Sequence, residues 1–314
     1  MPRALVFDRY GGLDVLSVRD LPLPSPKADQ VRVRVRAAAL NPKDALVRKG
    51  RFALLSGRRF PKRVGVDFAG EVVEAGPASG LHVGQRVFGV LEEIRYLRGT
   101  VAEEVVCARR ECGLMPEGLS FVEAAGLPLV SLTALQALRD LAHVRPGDRV
   151  GIHGASGGLG TVAIQIAKAM GAHVTTTSSE GNRALCTSLG ADEALDYASD
   201  DLLRGRFRVI FDVFGNLSFT RAKPALERGG VFVSTVPSPR ILLDAARTLR
   251  SDKRARLVLI RSRREDLDEV ARMVARGQLR PIIDRVEPLD RAKDAIARLE
   301  TRRARGKIVI DLDA

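Results

Sequence analysis

The sequence predicts an α/β protein of two domains, one a compact antiparallel β domain and the other a doubly wound parallel sheet. Three observations lead there. The chain has 314 residues, more than one hydrophobic core usually serves. Its first third alternates short β-type runs with turn clusters, and from about Ser120 the texture changes to apolar strands separated by helix-length segments. The expected division assigns 1–122 with 262–314 to the β-rich domain and 123–261 to the parallel sheet.

In the first domain, Ala4 to Phe7 and Val15 to Val18 are strand candidates. They are followed by Val31 to Ala39, where Val31, Val33 and Val35 alternate with Arg32, Arg34 and Arg36. A period of two means one buried face and one wet face. The stretch Leu21-Pro22-Leu23-Pro24-Ser25-Pro26 cannot sit inside a sheet or helix, because proline fixes φ and removes the N–H donor. Further turns are expected at Gly76-Pro77, Gly80 and Gly84.

The second domain offers strand candidates at Arg149 to His153, His173 to Thr177, Glu193 to Asp196, Val209 to Val213, Val231 to Val236 and Leu257 to Ile260. Strands alternating with helices read as a doubly wound sheet. After the first of them, Leu159, Val162, Ala163, Ile166 and Met170 recur at helical spacing, and Gly171 supplies the stop. A charged helix around Glu265 to Arg276 and a terminal strand Lys307 to Leu312 return to the texture of the first domain.

Composition bounds the function. Fifty-one basic residues against 38 acidic ones leave a formal charge of +13, which favours anionic partners such as a nucleotide or a coenzyme A tail. The basic residues are scattered, and with no Trp and three Tyr there are few platforms for stacking bases, so no nucleic-acid partner is expected. The apolar runs are far too short to span a bilayer, and no membrane partner is expected. Three cysteines without a framework argue for a reducing compartment, the cytoplasm.

The chemistry-bearing motif is the turn Gly154-Ala155-Ser156-Gly157-Gly158-Leu159-Gly160, placed between a predicted strand and an amphipathic helix. Small residues there let a pyrophosphate approach the backbone, and the helix N-terminus faces it with free N–H groups and a positive dipole end. About twenty residues on, a cofactor with a free ribose 2′-hydroxyl calls for an acid at the strand end. This strand ends Thr177-Ser178-Ser179, followed by Glu180 and Arg183. Hydroxyls and a guanidinium suit a 2′-phosphate, which makes NADPH the expected cofactor, with Glu180 the competing feature.

With these segments in view the chain resembles the zinc-independent quinone oxidoreductase branch of the medium-chain dehydrogenase/reductase superfamily, nearly end to end. The resemblance is carried by Asn41-Pro42-Lys43-Asp44, Gly65-Val66-Asp67-Phe68-Ala69-Gly70, Thr133-Ala134, the glycine-rich turn, Leu189-Gly190-Ala191-Asp192 and Gly306-Lys307-Ile308-Val309. It implies a GroES-like catalytic domain, a Rossmann cofactor domain and a homodimer. It also implies that Asn41 lies against nicotinamide and substrate, that Asp44 shapes that pocket and that Thr133 approaches the nicotinamide. Ser156, Gly158 and Leu159 would hold the pyrophosphate, Ser179, Arg183 and Tyr197 would surround the adenosine phosphate, and Lys307 would reach the cofactor from the terminal strand.

Zinc-dependent branches carry a Cys early in the catalytic domain and a His-Glu pair where this chain has Val66-Asp67; here Asn41 and Asp67 stand instead, and no metal is expected. Hydride addition to a conjugated C=C spreads charge into an enolate that hydrogen bonds can stabilise, which points to a quinone, enone or enoyl-thioester acceptor. The general acid is not identifiable: Leu46 and Phe52 stand where relatives place a Lys or Tyr. The competing reading is a non-enzymatic, crystallin-like protein of the same fold that binds NADPH or nucleic acid.

Overall fold

Two short apolar runs pair first: β1 (Arg3–Phe7) and β2 (Leu16–Asp20) are antiparallel, with Leu5 opposite Val18. The second strand starts after the predicted Val15 because Leu13–Val15 closes a 3-10 turn. In the computed structural model, which describes residues 1–314, the chain forms two compact units. One is Met1–Leu129 with Arg261–Gly277 and Pro281–Ala314, and the other is Val130–Ile260 with Gln278–Arg280.

The valine and arginine alternation forms β3 (Gln30–Leu40) of the first unit. Val31, Val33 and Val35 are buried, contributing about 1.5–3 kcal/mol each by burial, while Arg36 reaches Glu71 and Asp313. Beyond a register shift between Val35 and Ala37, the run Ala37-Ala38-Ala39 is buried throughout, since a strand covered on both sides no longer alternates. Then come α1 (Pro42–Arg48), the single turn α2 (Ala53–Ser56) and β4 (Lys62–Arg63), which joins β1 to complete a sheet of order β2-β1-β4. The strands β5 (Asp67–Ala75), β6 (Arg86–Val90), β7 (Glu104–Ala108) and β8 (Cys112–Leu114) follow.

Ser120 starts α3 (Phe121–Ala125) with a reciprocal cap: its hydroxyl accepts from the Glu123 N–H and its own N–H bonds the Glu123 carboxylate. After α4 (Pro128–Leu135) the second unit builds β9 (Arg149–His153), β10 (His173–Ser178), β11 (Glu193–Asp196), β12 (Phe207–Asp212), β13 (Leu226–Ser234) and β14 (Arg254–Leu257). All six pair in parallel in the order β11-β10-β9-β12-β13-β14, reversing direction of growth at β9 and β12 as a doubly wound sheet does. The last strand lies upstream of the predicted Leu257 to Ile260. Ala255 and Leu257 face the core on this edge strand, whereas Leu259 is 70% exposed. Between β9 and β10 runs α5 (Gly158–Ala169), burying Val162, Ala163 and Ile166.

The tail then returns to the first unit. β15 (Ile283–Pro288) lies parallel to β16 (Lys307–Asp311), and β16 pairs antiparallel with β3, extending a seven-stranded sheet of order β15-β16-β3-β5-β6-β8 with β7 also on β3. No helix is long and apolar enough to cross a membrane.

Candidate functional site

In the β-rich unit β3 ends at Leu40 and α1 begins at Pro42, so Asn41 stands at the joint. Proline at the first helical position sacrifices no hydrogen bond. The Asp44 carboxylate, in the first turn, accepts the Asn41 backbone N–H at 2.7 Å. The Asn41 amide turns toward the sheet instead: Nδ2 donates to Asp67 Oδ2 at 2.9 Å, and Oδ1 accepts from Lys307 Nζ at 2.6 Å. Lys307 Nζ also donates to Asp67 Oδ2 at 2.9 Å.

Sheet pairing explains the meeting. Asp67 opens β5 opposite Ala39, and Lys307 opens β16 one residue before Ile308, which faces Leu40. Both strands flank β3, so residues 240 positions apart in sequence converge beside its end. Asp67 Oδ1 accepts a further bond from the Leu129 N–H at 2.8 Å. All three side chains are almost fully buried, which leaves one ammonium and one carboxylate cancelling each other out of water.

Tyr96 completes the cluster from the irregular segment after β6. It is buried, takes a left-handed φ of 58°, and donates its hydroxyl to Asp44 Oδ1 at 2.7 Å. Burial pushes the Asp44 carboxyl above its ordinary range, against the Tyr96 hydrogen bond and the Lys43 charge that pull it down. Burial and the facing Asp44 push the Tyr96 phenol well up.

In the parallel-sheet unit the predicted turn forms between β9 and α5. Gly154 has φ +84°, and a Cβ on it would meet the Phe214 side chain at 2.8 Å. A Cβ on Gly160 would lie 2.5 Å from the Ala155 backbone, so only glycine lets the first turn of α5 pack on the strand end. Gly157, the N-cap, is different: a Cβ there meets nothing within 4 Å. Ala155 is buried with its N–H on Thr177 O at 2.9 Å, Ser156 Oγ accepts from Asn182 at 3.0 Å, and Gly158 and Leu159 begin the helix. An open N-cap backed by a close helix contact suits an anionic pyrophosphate on the free N–H groups.

At the ends of β10 and β11, Ser178 is buried with its hydroxyl on Ser179 O at 3.1 Å, and Tyr197 is exposed with its N–H on Ser178 O at 3.0 Å. Ser179 caps the short turn that leads to Arg183. The Arg183 guanidinium bonds Ala194 O at 2.7 Å and pairs with Glu180 at 2.9 Å, both partners largely exposed. Thr133 is buried on α4.

The structure thus gathers Asn41, Asp44 and Lys307 into one cluster in the first unit. In the second, Gly154 to Leu159, Ser178, Ser179, Arg183 and Tyr197 follow or close the carboxyl ends of the neighbouring strands β9, β10 and β11. Sequence reasoning missed Tyr96, which lies in a loop without periodicity, and noted Asp67 only as a replaced ligand position. It also missed the clip at His153, whose Nδ1 lies 2.9 Å from Thr177 Oγ1 and whose Nε2 lies 2.8 Å from Asn216 Oδ1. Asp212 beside it accepts the Gly215 and Leu217 N–H groups while burial pushes its carboxyl up.

No group of three or more His, Cys, Asp or Glu side chains is arranged to hold a metal ion. Cys107, Cys112 and Cys186 are free and buried; the Cys112 contact, with burial, pushes the Cys107 thiol well up. They are packed thiols of low reactivity.

Comparison with known proteins agrees with this fold. Residues 27–117 match the family described as alcohol dehydrogenase GroES-like domain, and residues 189–310 match that described as zinc-binding dehydrogenase. The chloroplast envelope quinone oxidoreductase homolog of Arabidopsis thaliana is 32% identical, with 98% of each chain covered. A trans-enoyl reductase of Aspergillus terreus is 36% identical over 91% of this chain and 87% of its own. The structure of the quinone oxidoreductase from Coxiella burnetii superposes with a TM-score of 0.91 at 33% identity, covering 99% of both chains. A GroES-like unit, a Rossmann-type sheet and end-to-end similarity together make this chain an oxidoreductase of the quinone oxidoreductase branch of the medium-chain dehydrogenase/reductase superfamily.

Proposed function

We propose that the protein is an NADPH-dependent reductase, working without a metal, that delivers hydride to the C=C of a quinone, an enone or an enoyl thioester. The observation that carries the reading is the Asn41–Asp67–Lys307 triangle. At the positions where zinc-dependent branches carry ligands, the donors of this chain are engaged by an ammonium group. A fixed organic cation in place of a Lewis acid suits an enolate, whose charge is delocalised, better than a localised alkoxide.

NADPH, when bound, supplies the hydride. Asn41 contributes an amide donor whose orientation is set on both sides. The ammonium on Oδ1 draws density from the amide and strengthens its N–H as a donor, an effect that burial enhances. Asn41 Nδ2 donates to Asp67 and, at 3.5 Å, to Ala39 O, so Asn41 acts by holding the end of β3 and the buried ammonium in fixed register rather than as a free donor. Asp44, held by Tyr96, fixes the start of α1 and with it the place of Asn41. Ser156, Gly157, Gly158 and Leu159 would bind the pyrophosphate, and Ser179, Arg183 and Tyr197 the adenosine 2′-phosphate, with Thr133 toward the nicotinamide. The names of the relatives support the acceptor class, since a quinone and an enoyl group share a C=C conjugated to a carbonyl. A homodimer and a cytoplasmic location belong to the same proposal; light scattering and cell fractionation test them.

The test is oxidation of NADPH and of NADH against a water-soluble quinone, a short alkyl enone and an enoyl-CoA. Turnover with at least one acceptor and a preference for NADPH are expected. Tight NADPH binding with no turnover on any of the three sinks the reading in favour of a binding protein.

A further inference from the structure

Leu54 in the β-rich unit is 97% exposed and its neighbour Leu55 58%. Both lie on the single turn α2, and Ile94, 54% exposed, lies on a second segment beside it. Lys62 joins the two segments: its buried Nζ donates to Ser56 O and to Arg95 O, each at 2.7 Å. The same ammonium stands 5.3 Å from the Phe60 ring and 5.9 Å from the Tyr10 ring, and the Tyr10 hydroxyl lies 2.8 Å from Ser56 Oγ. The three aliphatic side chains are therefore held outward by a fixed scaffold.

Around this tip stand Arg51, Arg58, Arg59 and Arg95, all exposed and none paired with a carboxylate. The acids close by are engaged elsewhere, Glu93 by Arg98 and Glu92 by Arg110. Isolated apolar residues on a surface need no explanation, but two on one exposed turn, tied by Lys62 to a segment carrying a third and flanked by unneutralised cations, do. Its chemistry is complementary to one kind of partner, a surface with an apolar interior and an anionic face.

We propose that this tip docks on an anionic lipid surface, Leu54, Leu55 and Ile94 entering the acyl boundary and the four arginines meeting the headgroups. Two leucines on one turn leave no trace in a hydropathy window, which detects spans and not tips. A lipid surface also concentrates apolar quinones and enones, so docking would bring the enzyme to its acceptor if the proposed acceptor class holds. Docking itself does not depend on that class.

The experiment is co-sedimentation of the whole protein with phosphatidylcholine vesicles and with vesicles in which about one quarter of the lipid is phosphatidylglycerol. Binding only to the anionic vesicles, weakening as salt is raised, is expected. Arg58→Gln with Arg59→Gln should weaken it roughly 25-fold, at about fivefold per cation. Leu54→Asp with Leu55→Asp should weaken it at least about tenfold, since apolar insertion is lost. Unchanged melting temperatures verify that the variants fold. No sedimentation of the wild type, equal binding to both vesicle types, or undiminished binding by either variant overturns the proposal. NADPH oxidation with a soluble quinone is measured separately, so failure of the enzymatic reading leaves the vesicle result standing.

Discussion

The Lys307 ammonium lies 2.9 Å from the Asp67 carboxylate, with both groups out of water and each also bonded to the Asn41 amide. A buried pair of this kind adds little stability over an apolar one, but removing one partner leaves the other as an uncompensated charge. Lys307→Met should therefore destabilise the protein by about 3–5 kcal/mol. Urea unfolding checks this, and adding Asp67→Asn to the variant should recover a large part of the loss. A double variant as unstable as the sum of the singles would mean the two residues do not act as a pair.

Asp44 gives stability a pH dependence of defined sign. Its carboxyl is raised by burial, so the folded state holds the proton more tightly than the unfolded chain. The contribution is present in full below the ordinary carboxylate value and is lost as pH rises through the raised value. Asp44→Asn removes the titration while keeping an oxygen for the Tyr96 hydroxyl. Its melting temperature relative to wild type should rise as pH is raised above the ordinary carboxylate value, and a flat difference would contradict the assignment.

Tyr96→Phe removes the hydroxyl that holds Asp44 at 2.7 Å. A buried bond to a charged group is worth about 1.5–3 kcal/mol, so a loss of that order is expected on chemical denaturation. Because that bond pulls the Asp44 carboxyl down, its absence should move any carboxyl-dependent limb of the pH–rate profile upward. Unchanged stability and an unmoved limb would remove Tyr96 from the site.

The glycine-rich turn yields a contrast between two substitutions. Gly160→Ala puts a Cβ 2.5 Å from the Ala155 backbone, so the melting temperature should fall along with cofactor binding. Gly157→Ala meets nothing within 4 Å, so the melting temperature should hold, while NADPH affinity drops by about tenfold or more as the methyl enters the pyrophosphate's approach. Calorimetric titration against melting curves separates the two outcomes.

The one carboxylate that Arg183 pairs with is the exposed Glu180, a solvent-screened contact that a 2′-phosphate can outcompete. Arg183→Ala should raise the Kd for NADPH about tenfold and leave that for NADH nearly unchanged. Equal effects on both would mean that Arg183 does not read the 2′-phosphate.

The architecture was legible in the sequence wherever a periodic pattern met a turn signal. Val31, Val33 and Val35 announced β3, and the apolar spacing after Gly160 announced α5, because burial of one face imposes the period of the backbone on the side chains. The upstream position of β14 was not legible, since Arg254-Ala255-Arg256-Leu257 on a sheet edge looks polar until the neighbouring strand is in place. The glycine-rich turn lay entirely within one contiguous stretch, and so its residues could be named from spacing alone.

What the tertiary structure decided is the company each residue keeps. Asn41, Asp67, Tyr96 and Lys307 carry no mutual signal in the chain; β5 and β16 pairing on either side of β3 brings three of them together, and a loop delivers the fourth. Sequence determines which groups can donate, accept or titrate. Only the folded arrangement determines which are dehydrated and beside which charge, and it is dehydration that turns an amide, a carboxylate and an ammonium into a fixed electrostatic device.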